Sequence, residues 1–139
     1  MLRLIYVSSA ASIFSEQQLK ELLIECRTNN SVRNITGMLL YKDGNFMQAL
    51  EGEADAVTAT HQRIASDQRH RGMITILTEA ISERSFPDWS MGFENLDDAD
   101  LQDLPGYSDF LNTSLVSPEF AENPDRCRSL LLSFKRNMR

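Results

Sequence analysis

Two hydrogen-bonding side chains stand where alternating strands should present only carbon. In Asn45-Phe46-Met47-Gln48-Ala49-Leu50-Glu51 a period of two sends Phe46, Gln48 and Leu50 to one face, apolar except for Gln48. Near the start of the chain the same period places Leu2, Leu4, Tyr6 and Ser8 on one side and Arg3, Ile5 and Val7 on the other. A phenol and a carboxamide therefore point inward from separate strands. A buried polar group without a partner costs roughly 1–3 kcal/mol. Tyr6 and Gln48 must then bond each other, or bond something held between the strands and a helix, which would be a flat ligand with polar edges. Further polar candidates are Asn29 and Asn30, Arg63 and Asp67 at i, i+4 spacing, His70, and the run Trp89-Ser90-Met91.

These residues need elements to position them. Leu2 to Ser8 reads as a strand. Ser15 is a good N-cap with Gln18 three residues on, and Phe14 and Leu19 occupy the positions of a hydrophobic staple. The first helix carries Leu19, Leu22, Leu23 and Cys26 on one face and runs out near Asn29-Asn30. Ile35 to Tyr41 and Phe46 to Leu50 are strands joined at Asp43-Gly44, a tight-hairpin signal. A second helix is expected from Asp55 to Arg71 with Gly72 as its stop, then a strand from Met73 to Ala80 and a short fifth strand from Trp89 to Phe93. The order βαββαββ is an α+β, ferredoxin-like arrangement with one extra strand, both helices covering the same sheet face.

Beyond residue 95 the composition turns acidic, with Asp97, Asp98, Asp100 and Asp103 ahead of Pro105-Gly106. This divides the chain into a domain of residues 1–95 and an extension of residues 96–139. The extension ends in a helix opened by Asn123 and Pro124, with an apolar seam of Cys127, Leu130, Leu131, Phe134 and Met138. That seam must be buried, against the second sheet face or against another subunit, so a homo-oligomer is expected.

At 139 residues and 42% hydrophobic, the chain supports one domain with a true core plus a short appendage. A formal net charge of −6 disfavours nucleic acid and anionic membrane surfaces, which want a dense basic face. Two cysteines, Cys26 and Cys127, suggest neither a disulfide framework nor a zinc site, and neither histidine has metal-ligand spacing. The apolar runs are too short to span a membrane, and no charged, apolar leader opens the chain. The expected location is cytoplasmic.

Taken together and in order, Tyr6, Asn29-Asn30, Ile35-Thr36-Gly37, Phe46-Met47-Gln48, Leu50-Glu51-Gly52, Asp67-Gln68-Arg69-His70 and Trp89-Ser90-Met91 resemble the BLUF family of flavin-binding blue-light sensors, over roughly Leu2 to Phe93. The extension is similar to that of short, stand-alone members. The resemblance implies a flavin, FAD or FMN, held between the two helices, with Tyr6 and Gln48 as hydrogen-bonded neighbours beside it. It implies that Asn30 and Arg63 meet the polar rim of the ring, that Asp67 holds local bonds nearby, and that Leu22, Phe46 and Ile64 supply apolar walls. Asn29 and His70 fall in the same surroundings. Cys26 stands where relatives commonly carry a small hydroxyl residue, which bears on tuning and not on flavin binding. It further implies that Tyr6 gives an electron and then a proton to the photoexcited flavin, that Gln48 rearranges its amide, and that the fifth strand around Trp89 and Met91 carries the signal to another protein or to a change in self-association. No chemical turnover is implied.

Each residue also has an ordinary role. Gln48 could be a core amide on backbone, Tyr6 a core ring with its hydroxyl at solvent, Asn30 a helix cap, and Arg63 with Asp67 a solvated pair. Arg69, His70 and Arg71 would suit the last turn of a helix. The competing functional reading is a small ferredoxin-like enzyme of the acylphosphatase type, or a metabolite-binding regulatory module. The enzyme needs an arginine-bearing anion loop after the first strand, and Ser9-Ala10-Ala11-Ser12 contains none.

Overall fold

Alternation and capping organise the chain as the sequence suggests. The computed structural model describes residues 1–42, 44–87 and 90–95. Its elements are β1 (Leu2–Ala10), α1 (Glu16–Val32), β2 (Thr36–Lys42), β3 (Asn45–Gly52), α2 (Ala54–Ala65), β4 (His70–Ala80) and β5 (Gly92–Asn95). The sheet runs β4-β1-β3-β2-β5; the first four strands are antiparallel neighbours, and β5 lies parallel to β2 at the edge. This is the ferredoxin-like sheet with one strand added. At the start of α1 the Ser15 hydroxyl accepts from Gln18 N while the Gln18 side chain accepts from Ser15 N, closing the expected capping box.

The face formed by Leu4, Tyr6, Leu39, Tyr41, Phe46 and Leu50 packs with Leu19 and Leu23 of α1 and Val57 of α2 in one apolar cluster. Both helices thus cover the same side. On the other side Ile5, Val7, Met38, Leu40, Met47 and Ala49 are fully buried as well. The expected domain limit at residue 95, the last helix and its seam lie outside the described residues.

Three expectations about boundaries are corrected. The second helix ends at Ala65 with Ser66 as its cap, so Asp67 and Arg69 belong to a turn and His70 opens β4. Arg63 and Asp67 consequently do not share a helix face. Gly72 does adopt a left-handed backbone, with φ of 66°, but inside β4 and not as a helix stop. The fifth strand begins at Gly92; just ahead of it the carbonyls of Ser90 and Met91 accept from Asn30 and Arg27 of α1.

A charged cluster fastens the segment that leads towards β5. Glu51 has no exposure, and its carboxylate accepts from Arg3 Nε at 2.8 Å and from the backbone amides of Ser85 and Phe86 at 2.9 Å each. Arg3 also pairs with Glu79 at 2.6 Å. Arg84 adds bonds to Glu51 O, Thr36 Oγ1 and Asn34 O. Removing one member of such a buried set leaves an unpaired charge and two orphaned amides. Glu51→Ala is therefore expected to lower unfolding free energy by about 3 kcal/mol in urea denaturation; a loss under about 1 kcal/mol would show that water reaches Arg3.

Candidate functional site

Tyr6 of β1 and Gln48 of β3 are direct partners in the strand register, and their side chains meet on the helix-covered face. The Tyr6 hydroxyl donates to Gln48 Oε1, and Gln48 Nε2 donates to Met91 Sδ at 3.4 Å. All three residues are buried. The neighbours set the sense of this chain. A thioether has no hydrogen to give, so it can face only the NH2 end of the amide, which leaves the carbonyl end for the phenol. Burial first, then the nearby Cys26 and Asp67, hold the Tyr6 hydroxyl far above its ordinary pKa. The phenol proton therefore stays in place at neutral pH.

The same segment is gripped from α1. Asn30, buried in the last turn, donates through Nδ2 to Ser90 O at 2.9 Å, and Arg27 Nε donates to Met91 O at 3.0 Å. Asn30 thus serves the backbone ahead of β5 and does not line the adjoining cleft; the helix C-cap is Arg33. Trp89 lies outside the described residues. Met91 points inward.

Beside this chain runs a narrow slot of about 40 Å3, lined by Tyr6, Ser8, Phe14, Leu22, Cys26, Leu39, Phe46, Gln48, Asp67, Arg69 and His70. Through Phe14 and Arg69 it adjoins a wider hollow of about 340 Å3 that also touches Ala11, Ser12, Gln18, Glu21 and Gln68. One wall of the slot is β1 and β3, the opposite wall α1, and its rim the turn after α2. That turn is drawn towards α1: Arg69 pairs with Asp67 at 2.6 Å and with Glu25 at 3.1 Å. Its bonds with Asp67, foremost, hold the Asp67 carboxyl below and the Arg69 guanidinium above their usual ranges. The rim is also tied by the Ala11 amide, which donates to Arg69 O at 2.8 Å, and by the Asp67 amide, which donates to Ile64 O at 3.0 Å.

Burial, foremost, pushes the Cys26 thiol up to about 11, so it stays protonated at neutral pH. Two imidazoles flank Tyr6: His61 edge-on at 5.8 Å between ring centroids and His70 tilted at 6.5 Å. Burial lowers the pKa of His61. His70 Nε2 contacts the carbonyl of Ile64.

Of the residues expected from sequence, Tyr6, Leu22, Cys26, Phe46, Gln48, Asp67 and His70 line the slot. Ile64 packs against the same apolar cluster, and Asn29 is half-buried on α1. Arg63 lies in the last turn of α2, near enough to act on the Cys26 thiol but outside the lining. Sequence reasoning did not select Ser8, Phe14, Leu39 or Arg69. The alternation of β1 already placed Ser8 two residues from Tyr6 on the same face, and that was its signal.

Apolar walls, a phenol–amide pair and the buried Ser8 hydroxyl, without a partner among the described residues, suit a flat, polar-edged aromatic ligand. The fold and slot define a small α+β ligand-binding module of the ferredoxin-like class. Residues 1–92 match the family described as sensors of blue-light using FAD, and the chain belongs to this BLUF family. It is 35% identical over 89 residues to photoactivated adenylate cyclase subunit beta of Euglena longa, covering 63% of this chain and 10% of that protein. With the alpha subunit of Euglena gracilis the figures are 35% over 86 residues, 62% and 8%. The chain thus spans about a tenth of the length of these curated relatives. Among solved structures, a bacterial light-regulated adenylyl cyclase superposes with TM-score 0.75 at 30% identity, covering 96% of this chain and 40% of that one. The BLUF protein BlrB in its dark state gives 0.75 at 28% identity, covering 92% and 94%. The module is a flavin-binding sensor of blue light, and the acylphosphatase-type alternative falls. No helix among the described residues is long and apolar enough to cross a membrane.

Proposed function

We propose that this chain senses blue light through the row Tyr6, Gln48 and Met91 and passes the state of Gln48 outward through β5. The observation that carries this reading is the unbroken hydrogen-bond sequence from the Tyr6 hydroxyl to the Met91 thioether. A bound flavin would supply the blue absorption and an electron-accepting ring. Tyr6 would give that electron and pass its proton along its bond to Gln48 Oε1, and both would return to the phenol as the amide settles in its reversed orientation. Once the amide reverses, its oxygen faces Met91 Sδ, and no hydrogen lies between two acceptors. The grip of Gln48 on Met91 is then lost. Asn30 and Arg27, which hold the adjoining carbonyls, decide how far the backbone follows.

Leu22, Phe46 and Leu39 exclude water from the slot, and Cys26, Asn29, Arg63, Ile64, Asp67 and His70 surround or support it. FAD or FMN serves as chromophore, the light reaction involves no turnover, and the signal goes to a separate protein in the cytoplasm or to a change in self-association. Purified protein reconstituted with FAD is expected to show a flavin spectrum that shifts to longer wavelength under blue light and returns in darkness. A preparation that binds flavin but keeps an unchanged spectrum under illumination would refute the photochemical reading.

A further inference from the structure

We propose that the Ser8 hydroxyl is a flavin ligand, hydrogen-bonded to a polar atom of the bound cofactor from the strand wall of the slot. Resting on the flavin reading above, this adds a contact outside the Tyr6 and Gln48 pair. Ser8 lines the slot and has no exposure, and its buried Oγ has no hydrogen-bond partner among the described residues. The contrast with its neighbours is direct. Tyr6 is bonded to Gln48, and Ser9, on the other face, donates to Asn45 Oδ1 at 2.9 Å. A buried hydroxyl left unbonded forfeits its hydrogen bond to water with no return, and native proteins rarely keep one without a use.

The backbone supports the same assignment independently. Along β1 and β4 the register pairs Val7 with Ile74 and Ser9 with Arg71, so two steps on β1 face three on β4, and the irregularity falls opposite Ser8. Gly72 supplies the left-handed residue of this bulge, with φ of 66°. A Cβ at Gly72 would meet nothing within 4 Å, so its conformation, not crowding, explains the glycine. Bulges of this kind interrupt a ladder and re-aim side chains next to sites. Here the interrupted position is the one carrying the unbonded hydroxyl, and it faces the cleft.

Wild type and Ser8→Ala, both as flavin-free protein, would be titrated with riboflavin by fluorescence quenching and separately unfolded in urea. Riboflavin affinity is expected to fall about 2- to 12-fold in Ser8→Ala, the net worth of one hydrogen bond (about 0.5–1.5 kcal/mol at 1.4 kcal/mol per tenfold). The urea midpoint of the flavin-free protein should not fall, since the hydroxyl has no partner there to lose. Ser8→Cys, similar in size but a weaker donor, should give an intermediate affinity. Unchanged affinity in Ser8→Ala overturns the proposal and assigns the hydroxyl to a trapped water. A lowered midpoint, or failure of the flavin-free variant to fold, also overturns it by making the hydroxyl structural. Wild type that binds no riboflavin sinks the flavin reading itself, whereas equal binding by both proteins sinks only the role of Ser8.

Discussion

Gln48→Leu is expected to bind flavin and to show no light-induced red shift. Leucine fills a similar volume, so Leu39 and Phe46 keep their packing and the slot keeps its apolar walls. What disappears is the acceptor for the Tyr6 hydroxyl and the donor to Met91. The buried phenol is then left without its partner, a cost of about 1–3 kcal/mol that a protein of ordinary stability survives. Tyr6→Phe removes the other end of the same bond and should likewise keep flavin and lose the shift. Light-minus-dark absorption spectra of the two variants test the assignment. A normal shift in either would mean that the amide and phenol are ordinary core groups.

Gly37→Ala should prevent the sheet from forming as it stands. Gly37 lies opposite Leu50 in the β2–β3 ladder, and an added Cβ would sit 1.9 Å from the carbonyl oxygen and 2.9 Å from the carbonyl carbon of Ala49. Both atoms are backbone, so no rotamer change relieves the contact. Either β2 moves off β3 or the fold is lost. The expected loss exceeds about 4 kcal/mol, a large part of the 5–15 kcal/mol that a domain commands, with little soluble protein recovered. Urea denaturation of whatever folds is the measurement. Stability within about 1 kcal/mol of wild type would show that the two strands part without penalty at this point. Since β2 also carries β5, the same substitution should disturb signalling in any fraction that does fold.

Much of this architecture was legible because its signals are local. Period-two alternation placed Tyr6 and Gln48 on one face without reference to any ligand, and the capping box at Ser15 fixed the start of α1. Misreadings arose where one local requirement has two uses. Gly72 reads in sequence as a helix stop because both a helix terminus and a strand bulge want a left-handed residue, and only the pairing of β1 with β4 distinguishes them. Asp67 and Arg63 have helical spacing, but α2 closes at Ser66, and Asp67 turns instead to Arg69 two residues on. The start of β5 could not be read at all from its own residues. Just ahead of it lie carbonyls bonded by Arg27 and Asn30, residues of α1 separated in sequence by 64 and 60 positions, which no local pattern reveals. Ser8 was visible in the pattern but looked like a strand end until its lack of a partner set it apart.

The connection between β4 and β5 is tied down twice, by unlike means and on opposite sides of the sheet. Its earlier part is moored by a carboxylate and two guanidinium groups, Glu51, Arg3 and Arg84; its later part by the amides of Asn30 and Gln48 together with Arg27. Only the second mooring includes a group that light is proposed to reorient. On the proposed reading, a disturbance arising at Gln48 is therefore felt first at Met91, while the Glu51 cluster on the far side of the sheet has no bond to the group that moves.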